Sequence, residues 1–232
     1  MLGTERERAY TQRMSTAPVV TRQEQKQRTR RALLDAALRL LEHQSFDGLG
    51  LREVAREAGL APAGFYRHFA DLEELGLVLV EESFGSLREM LRLARADPGT
   101  YVHIVRSSAQ ILVRSVQADR AHFRFIARER YSGVAAVRQA IRSEIRLFAS
   151  ELATDLAHFP YLSEWSTHDL GLIGQLIVAA MVSIVEAVLD APDQPGVQAA
   201  LVDDAETQLR MIMVGVRDWR SRDIRPTRHA RP

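Results

Sequence analysis

Two short stretches of this 232-residue chain carry the side chains best equipped for chemistry: Phe65-Tyr66-Arg67-His68-Phe69, and His122 to Tyr131, which reads HFRFIARERY. In the first, a phenol, a guanidinium and an imidazole stand in a row and offer donors and acceptors suited to polar base edges and phosphates. Phe65 and Phe69 bracket them at a spacing that puts both rings on one helical face, with the polar groups between and around them. In the second, Arg124 and Arg128 share one helical face while Phe123 and Ile126 lie on another. That pattern has a plain reading, core aromatics beside arginines paired with an acidic body. It also has a functional one, a pocket whose apolar side takes a hydrocarbon chain and whose guanidinium rim takes phosphates bidentately. Catalysis finds little support: there is no G-x-S-x-G, G-x-G-x-x-G, P-loop or H-E-x-x-H, the histidines are scattered, and cysteine is absent. The expectation is a binding protein rather than an enzyme, with no catalytic residue, no metal site and no cofactor.

The first stretch is positioned by Leu51 to Phe69, LREVAREAGLAPAGFYRHF. Leu51, Val54, Ala55 and Ala58 follow the i, i+3, i+4, i+7 spacing of an amphipathic helix, with Arg52, Glu53, Arg56 and Glu57 on its wet side. Gly59 sits just past the last periodic residue, where a left-handed cap ends a helix, and Pro62 has the fixed φ suited to the first position of the next one. Helix, glycine turn and short aromatic-basic helix match a helix-turn-helix, whose second helix lies in the major groove of double-stranded DNA. A bare helical hairpin inside a bundle would show the same apolar spacing, so the flanks decide.

An Arg- and Leu-rich helix precedes the motif and DLEELGLVLV follows it. With those flanks, the stretch resembles the N-terminal domain of TetR-family transcriptional regulators. The combination of LREVAREAGLAP, FYRHF and DLEELGL, followed later by FRFIARERYSG, is similar to the repressors of unsaturated fatty-acid synthesis of the FabR and DesT type. The resemblance is dense from Arg28 to Leu91 and from Phe123 to Gly133, and loose elsewhere. It implies an all-α fold of about nine helices, a three-helix DNA-binding head followed by a helical ligand-binding and dimerisation domain. It further implies a homodimer joined through the last two helices, and long-chain acyl-CoA as the effector.

Three departures from common TetR heads affect which residues carry recognition. Ala61 occupies the usual Ser N-cap, Gly64 stands where many members carry a base-contacting Thr, and Leu72 replaces a Lys that often touches phosphate. Specific hydrogen bonding then rests on Tyr66, Arg67 and His68, with Arg52 as a phosphate contact from the preceding helix. Pro62, Ala63 and Gly64 complete the expected DNA-binding set, small residues at 63 and 64 letting the helix approach closely.

Charge is unevenly spread behind a formal net charge of +1. Residues 1 to 31 carry a net +5 and residues 71 to 216 a net −7, so only the ends of the chain would approach nucleic acid. The chain divides into a mobile basic tail over 1–21, a helix-turn-helix domain over 22–88 with its motif at 51–70, an effector-binding and dimerisation domain over 89–220, and a C-terminal tail over 221–232. The N-terminal tail has a plain reading as disorder and a sharper one as a basic arm along DNA. Nothing marks the chain for secretion, which leaves the cytoplasm as the expected location.

Within the head, helices are expected over 22–44, 51–58 and from Pro62. A long helix from an Asp71 N-cap to about residue 96 joins the two domains. In the body, further helices are expected over 100–117, 119–130, 134–158, 166–190 and 197–220. Leu170 to Leu189 is long enough to span a bilayer. Gln175 and Glu186 within it, and Asp203, Asp204 and Glu206 in the next helix, favour a buried helix and no membrane partner. Two helices this apolar, the second ending in LRMIMVGV, carry more hydrophobic surface than a small domain needs, and so point to a subunit interface.

Three functions fit these residues: an acyl-CoA-responsive repressor of fatty-acid desaturation or unsaturated fatty-acid synthesis genes, a TetR-type regulator answering to another hydrophobic small molecule such as a drug, and a ligandless helical scaffold on DNA. For the first, Phe84, Leu87, Ile104, Ser108, Ile111, Phe123, Ile126 and Phe148 are the candidate walls for the chain. Arg124 and Arg128 are the candidate phosphate end.

Overall fold

The computed structural model describes residues 21–95, 101–192 and 194–221. The expected N-terminal arm, the Asp97-Pro98-Gly99 break and the C-terminal tail from 222 onward lie outside them. Among the described residues there are nine α-helices and no strand, the all-α architecture expected. They are α1 (Arg22–Leu41), α2 (Leu51–Glu57), α3 (Pro62–Phe65), α4 (Leu72–Arg95), α5 (Tyr101–Ala118), α6 (Arg120–Glu129), α7 (Ala135–Leu156), α8 (Thr167–Asp190) and α9 (Pro195–Asp218).

Local chemistry sets the boundaries in the head. Thr21 Oγ1 accepts the Glu24 N–H at 3.1 Å and the Glu24 carboxylate accepts the Thr21 N–H at 2.7 Å, a reciprocal capping box that opens α1. Gly50 caps α2 through its backbone alone, and Glu53 accepts instead from the Gln44 side chain at 3.1 Å. Gly59 has φ 71° and the Leu60 N–H reaches back to the Ala55 carbonyl at 2.8 Å, so the chain reverses through a Schellman turn. Pro62 then starts α3, with Ala61 at the N-cap and no side-chain bond there. Asp71 caps α4 by accepting the Glu74 N–H at 2.8 Å.

Two apolar cores follow from the helix faces. One gathers Leu33, Leu34 and Leu41 of α1, Val54 and Ala55 of α2, Phe65, Phe69, and Leu75 and Leu79 of α4, and continues into Phe125 of α6 and Val137 and Ile141 of α7. The other joins α5, α8 and α9 through Ala109, Leu112, Val116, Ile173, Ile177, Ile184, Ala205 and Leu209. Helix α8 is long and apolar enough to cross a membrane by composition, and here it packs against α5, α6, α7 and α9. Helices α7 and α8 cross closely at Gly174, where a Cβ would lie 2.6 Å from the Ala149 carbonyl oxygen.

The end of α9 is tied to the start of α8. The Asp169 carboxylate accepts from Ser221 Oγ at 2.5 Å and Trp219 Nε1 at 3.2 Å, and Ser221 Oγ accepts the Ser166 N–H at 2.8 Å. These hydrogen bonds, Ser221's first, hold the Asp169 carboxyl below its ordinary value. A depressed carboxyl contributes stability above its unfolded pKa of about 3.9 and loses it as pH falls through the folded value. Asp169→Asn should therefore lower Tm near neutral pH, and the gap to wild type should shrink as pH falls below about 4. A gap independent of pH would show that the charge plays no part in the latch.

Candidate nucleic-acid interface and ligand cavity

Phe65 and Phe69 are fully buried, with ring centroids 5.6 Å apart, and they fix the short α3 to the head core. That leaves Tyr66 62% exposed, standing edge-on to Phe65, with Arg67 also exposed. Pro62, Ala63 and Arg52 are exposed and Gly64 is half-buried against Leu60. Apart from half-buried His68, the expected DNA-binding set thus lies at the solvent side of α2, α3 and the turn that follows α3.

His68 is half-buried and its Nδ1 has no hydrogen-bond partner. Its pKa lies below the ordinary value, first through burial and then through the charges of Lys26, Arg30 and Arg67. Arg30 places its guanidinium 4.9 Å from the centre of the Phe69 ring. Lys26 and Arg30 of α1 therefore belong to the same cationic face as α3. They were absent from the expected set because only tertiary packing lays α1 beside α3; the available hint was the net positive charge of the first 31 residues.

In the body, a cavity of about 580 Å³ counted out to its open mouth is lined by Phe84 and Leu87 of α4, Leu112 of α5, Phe123, Ile126, Ala127 and Arg130 of α6, Ile145 and Phe148 of α7, and Val178, Met181, Val182 and Val185 of α8. Phe84, Leu87, Phe123, Ile126 and Phe148 lie where a chain wall was expected. Ser108 and Ile111 do not; one residue further along α5, Leu112 takes the wall and Ile111 packs into the body core. The Ile104 side chain lies outside the described residues.

The expected phosphate rim needs correction. Arg128 turns away from the cavity and donates to the Leu41 carbonyl at 3.2 Å and the Gln44 carbonyl at 2.9 Å. The last carbonyls of a helix lack intrahelical partners and sit at its negative end, so a cation there satisfies both deficits. Arg124 is likewise not in the wall, whereas Arg130 is. Phe123, Ile126, Ala127 and Arg130 follow i, i+3, i+4, i+7, so the same spacing that grouped Arg124 with Arg128 puts Arg130 on the aromatic side.

Helix α6 thus has two working faces. One lines the cavity; the other grips the head. Buried Glu129, 1% exposed, accepts the Phe46 N–H at 3.1 Å, and the rings of Phe46 and Phe125 lie 6.3 Å apart. His122 Nδ1 and Ser83 Oγ of α4 are 2.8 Å apart, and burial is the main cause that lowers the His122 pKa. Among the described residues no group of three or more His, Asp or Glu could hold a metal ion.

Residues 33–77 match the family described as "Bacterial regulatory proteins, tetR family". Solved structures share the wider fold. FadR from Bacillus subtilis, in complex with stearoyl-CoA, is 18% identical with a TM-score of 0.64, over 79% of this chain and 97% of that one. A regulator from Pseudomonas aeruginosa PAO1 is 16% identical with a TM-score of 0.67, over 88% and 99%. NalD, the secondary repressor of the MexAB-OprM multidrug efflux pump in Pseudomonas aeruginosa, is 17% identical with a TM-score of 0.61, over 84% and 100%. Likeness at these identities carries the fold, and the match at 33–77 carries the head. The head thus matches the TetR family over residues 33–77, and the described helices share the fold of these solved structures.

Proposed function

We propose that the chain is a homodimeric repressor of fatty-acid desaturation or unsaturated fatty-acid synthesis genes, and that long-chain acyl-CoA in the cavity sets its affinity for operator DNA. The observation that carries this reading is the double role of α6, whose Phe123 and Ile126 border an apolar cavity while Phe125, Arg128 and Glu129 hold the head. A chain that moves the first face moves the second. Helix α4 adds a parallel route, with Phe84 and Leu87 in the wall and Leu75 and Leu79 in the head core. Saturated and cis-unsaturated chains differ by a bend, and a packed wall responds to differences of about a methylene. The stearoyl-CoA bound to the Bacillus subtilis FadR supports the ligand class.

Two heads need a two-fold axis. Leu172 and Leu176 of α8, and Met211 and Val214 of α9, are large apolar side chains left exposed. Their pairing with a second copy would cover them and set two recognition helices on a near-palindrome, with half-sites about 34–36 Å apart. Tyr66→Ala, His68→Ala and Arg52→Ala should each weaken operator binding by about 1–3 kcal/mol and leave the dimer intact. Arg52→Ala should act equally on specific and random DNA, because phosphate contacts carry no sequence information.

The deciding experiment titrates palmitoyl-CoA and oleoyl-CoA against the protein–operator complex by fluorescence anisotropy. Unequal effects are expected, with a coupling of about 1–3 kcal/mol for the more active ligand. Equal effects, or none, would remove the shape-sensing idea. A second reading, a regulator answering to a drug-like hydrophobe, is favoured by one observation: neither Arg124 nor Arg128 is in the cavity wall. Release from operator by neutral hydrophobic compounds but not by acyl-CoA would select it.

A further inference from the structure

Helix α1 is longer than its core requires. Its buried residues begin at Leu33, whereas every residue from Thr21 to Arg28 is exposed and Thr29 and Arg30 are half-buried. The turns from Arg22 to Arg30 therefore run for roughly 13 Å ahead of the first buried side chain. Packing does not hold this overhang; its capping box does, and that box occupies Glu24. Arg22, Lys26 and Arg30 are spaced four apart, which sets three cations in one row along one face. Like charges at that spacing oppose the helix that carries them, so folding alone does not favour the row.

Arg30 fixes where the row points. Its guanidinium lies 4.9 Å from the centre of the Phe69 ring, in the turn that follows α3, next to Arg67 and His68. None of the three cations has an ion-pair partner among the described residues, whereas Arg31 pairs with Asp35 and Glu82 at 2.9 Å each and Arg39 pairs with Glu57 at 2.8 Å. The head thus neutralises two arginines of α1 and leaves this row uncompensated beside the recognition helix. A helix seated in a major groove about 12 Å wide is bordered by sugar-phosphate backbone, so a rod standing beside α3 faces phosphates rather than base edges. We propose that the overhanging start of α1 is a second DNA contact, in which Arg22, Lys26 and Arg30 grip the backbone that flanks the groove entered by α3. Such contacts carry no sequence information, so the overhang sets affinity and salt dependence and leaves the choice of site to α3 and the turn after it. This rests on the head as a binder of duplex DNA and is independent of what fills the cavity.

The test measures binding of the full chain to a fluorescein-labelled duplex of random sequence by anisotropy, over a rise in salt from about 50 to 200 mM. Lys26→Gln should lessen the slope of log K against log salt by about 0.9 for each head bound, so that the affinity lost over this range is about 3.5-fold smaller per head. Arg22→Gln added to Lys26→Gln should double the shift. Both positions are exposed and Gln forms helix about as well as Lys or Arg, so thermal unfolding should not change. Arg31→Gln is the matched control: it removes one charge from the same helix, a charge that Asp35 and Glu82 already neutralise, and should shift the slope by less than about half as much. A slope for Lys26→Gln equal to that of wild type, or no different from that of Arg31→Gln, overturns the second contact while DNA binding by the head stands. If wild type does not bind the duplex at all, the head's reading as a DNA binder falls with it.

Discussion

Phe46→Ala should lower the stability of the protein by about 3–5 kcal/mol and, at the same time, disconnect the head from the cavity. Phe46 is 3% exposed and lies where three parts of the chain converge. Its ring packs near Phe125 of α6 and fills the space over Gly76 of α4, where an added Cβ would lie 2.4 Å from Phe46 Cζ. Truncation removes the ring and leaves a cavity that Gly76, having no side chain, does not help to refill. The backbone N–H of residue 46 still meets Glu129, so the effect reports packing rather than a lost hydrogen bond. Urea unfolding measures the first part of the expectation. The second is measured by the operator affinity with and without palmitoyl-CoA, whose ratio should fall toward one. A loss below about 1 kcal/mol would mean that the joint does not depend on this ring.

A comparable loss is expected from Gly174→Val, at the crossing of α7 and α8. The neighbour that a Cβ would strike there is the Ala149 carbonyl oxygen at 2.6 Å, with the Ala153 backbone nitrogen and Cβ both at 3.3 Å. Backbone cannot rotate away as a side-chain tip does, so the two helices must separate. Overpacking costs about 1–3 kcal/mol in ordinary cores, and a rigid obstacle with three added carbons places this variant at the top of that range or beyond it. Phe148 and Val178 border the cavity on either side of the same seam, so the variant should also weaken acyl-ligand binding. Thermal unfolding with and without ligand separates the two losses. Unchanged Tm would show that α7 and α8 have room to part.

The elements of this protein are local in origin, and local signals located them. Periodic apolar residues, Gly59, Pro62 and Asp71 placed the starts of α2, α3 and α4 within a residue or two of where they stand, because caps and fixed φ values act over a single turn, whereas α3 ends at Phe65 and not at Phe69 as the aromatic spacing suggested. The T-x-x-E capping box at Thr21 was equally local, and it marks the true start of α1 where composition alone suggested the end of a tail. Exposure of Tyr66 and Arg67 followed from the spacing of Phe65 and Phe69, which must face inward together.

What the tertiary structure decided is which of several equivalent faces meets which partner. On α6, periodicity separates one arginine face from another and says nothing about where the cavity lies; Arg128 found the end of α1, across a sequence separation of 87, and Arg130 found Glu186. Lys26 and Arg30 joined the α3 face in the same way, by the docking of one helix on another. Contacts of that kind depend on helix crossings, which Gly76 and Gly174 permit by having no side chain at the point of closest approach. A glycine reads alike in sequence whether it faces a neighbouring helix or solvent, and the close approach that makes these two necessary exists only once the helices have packed.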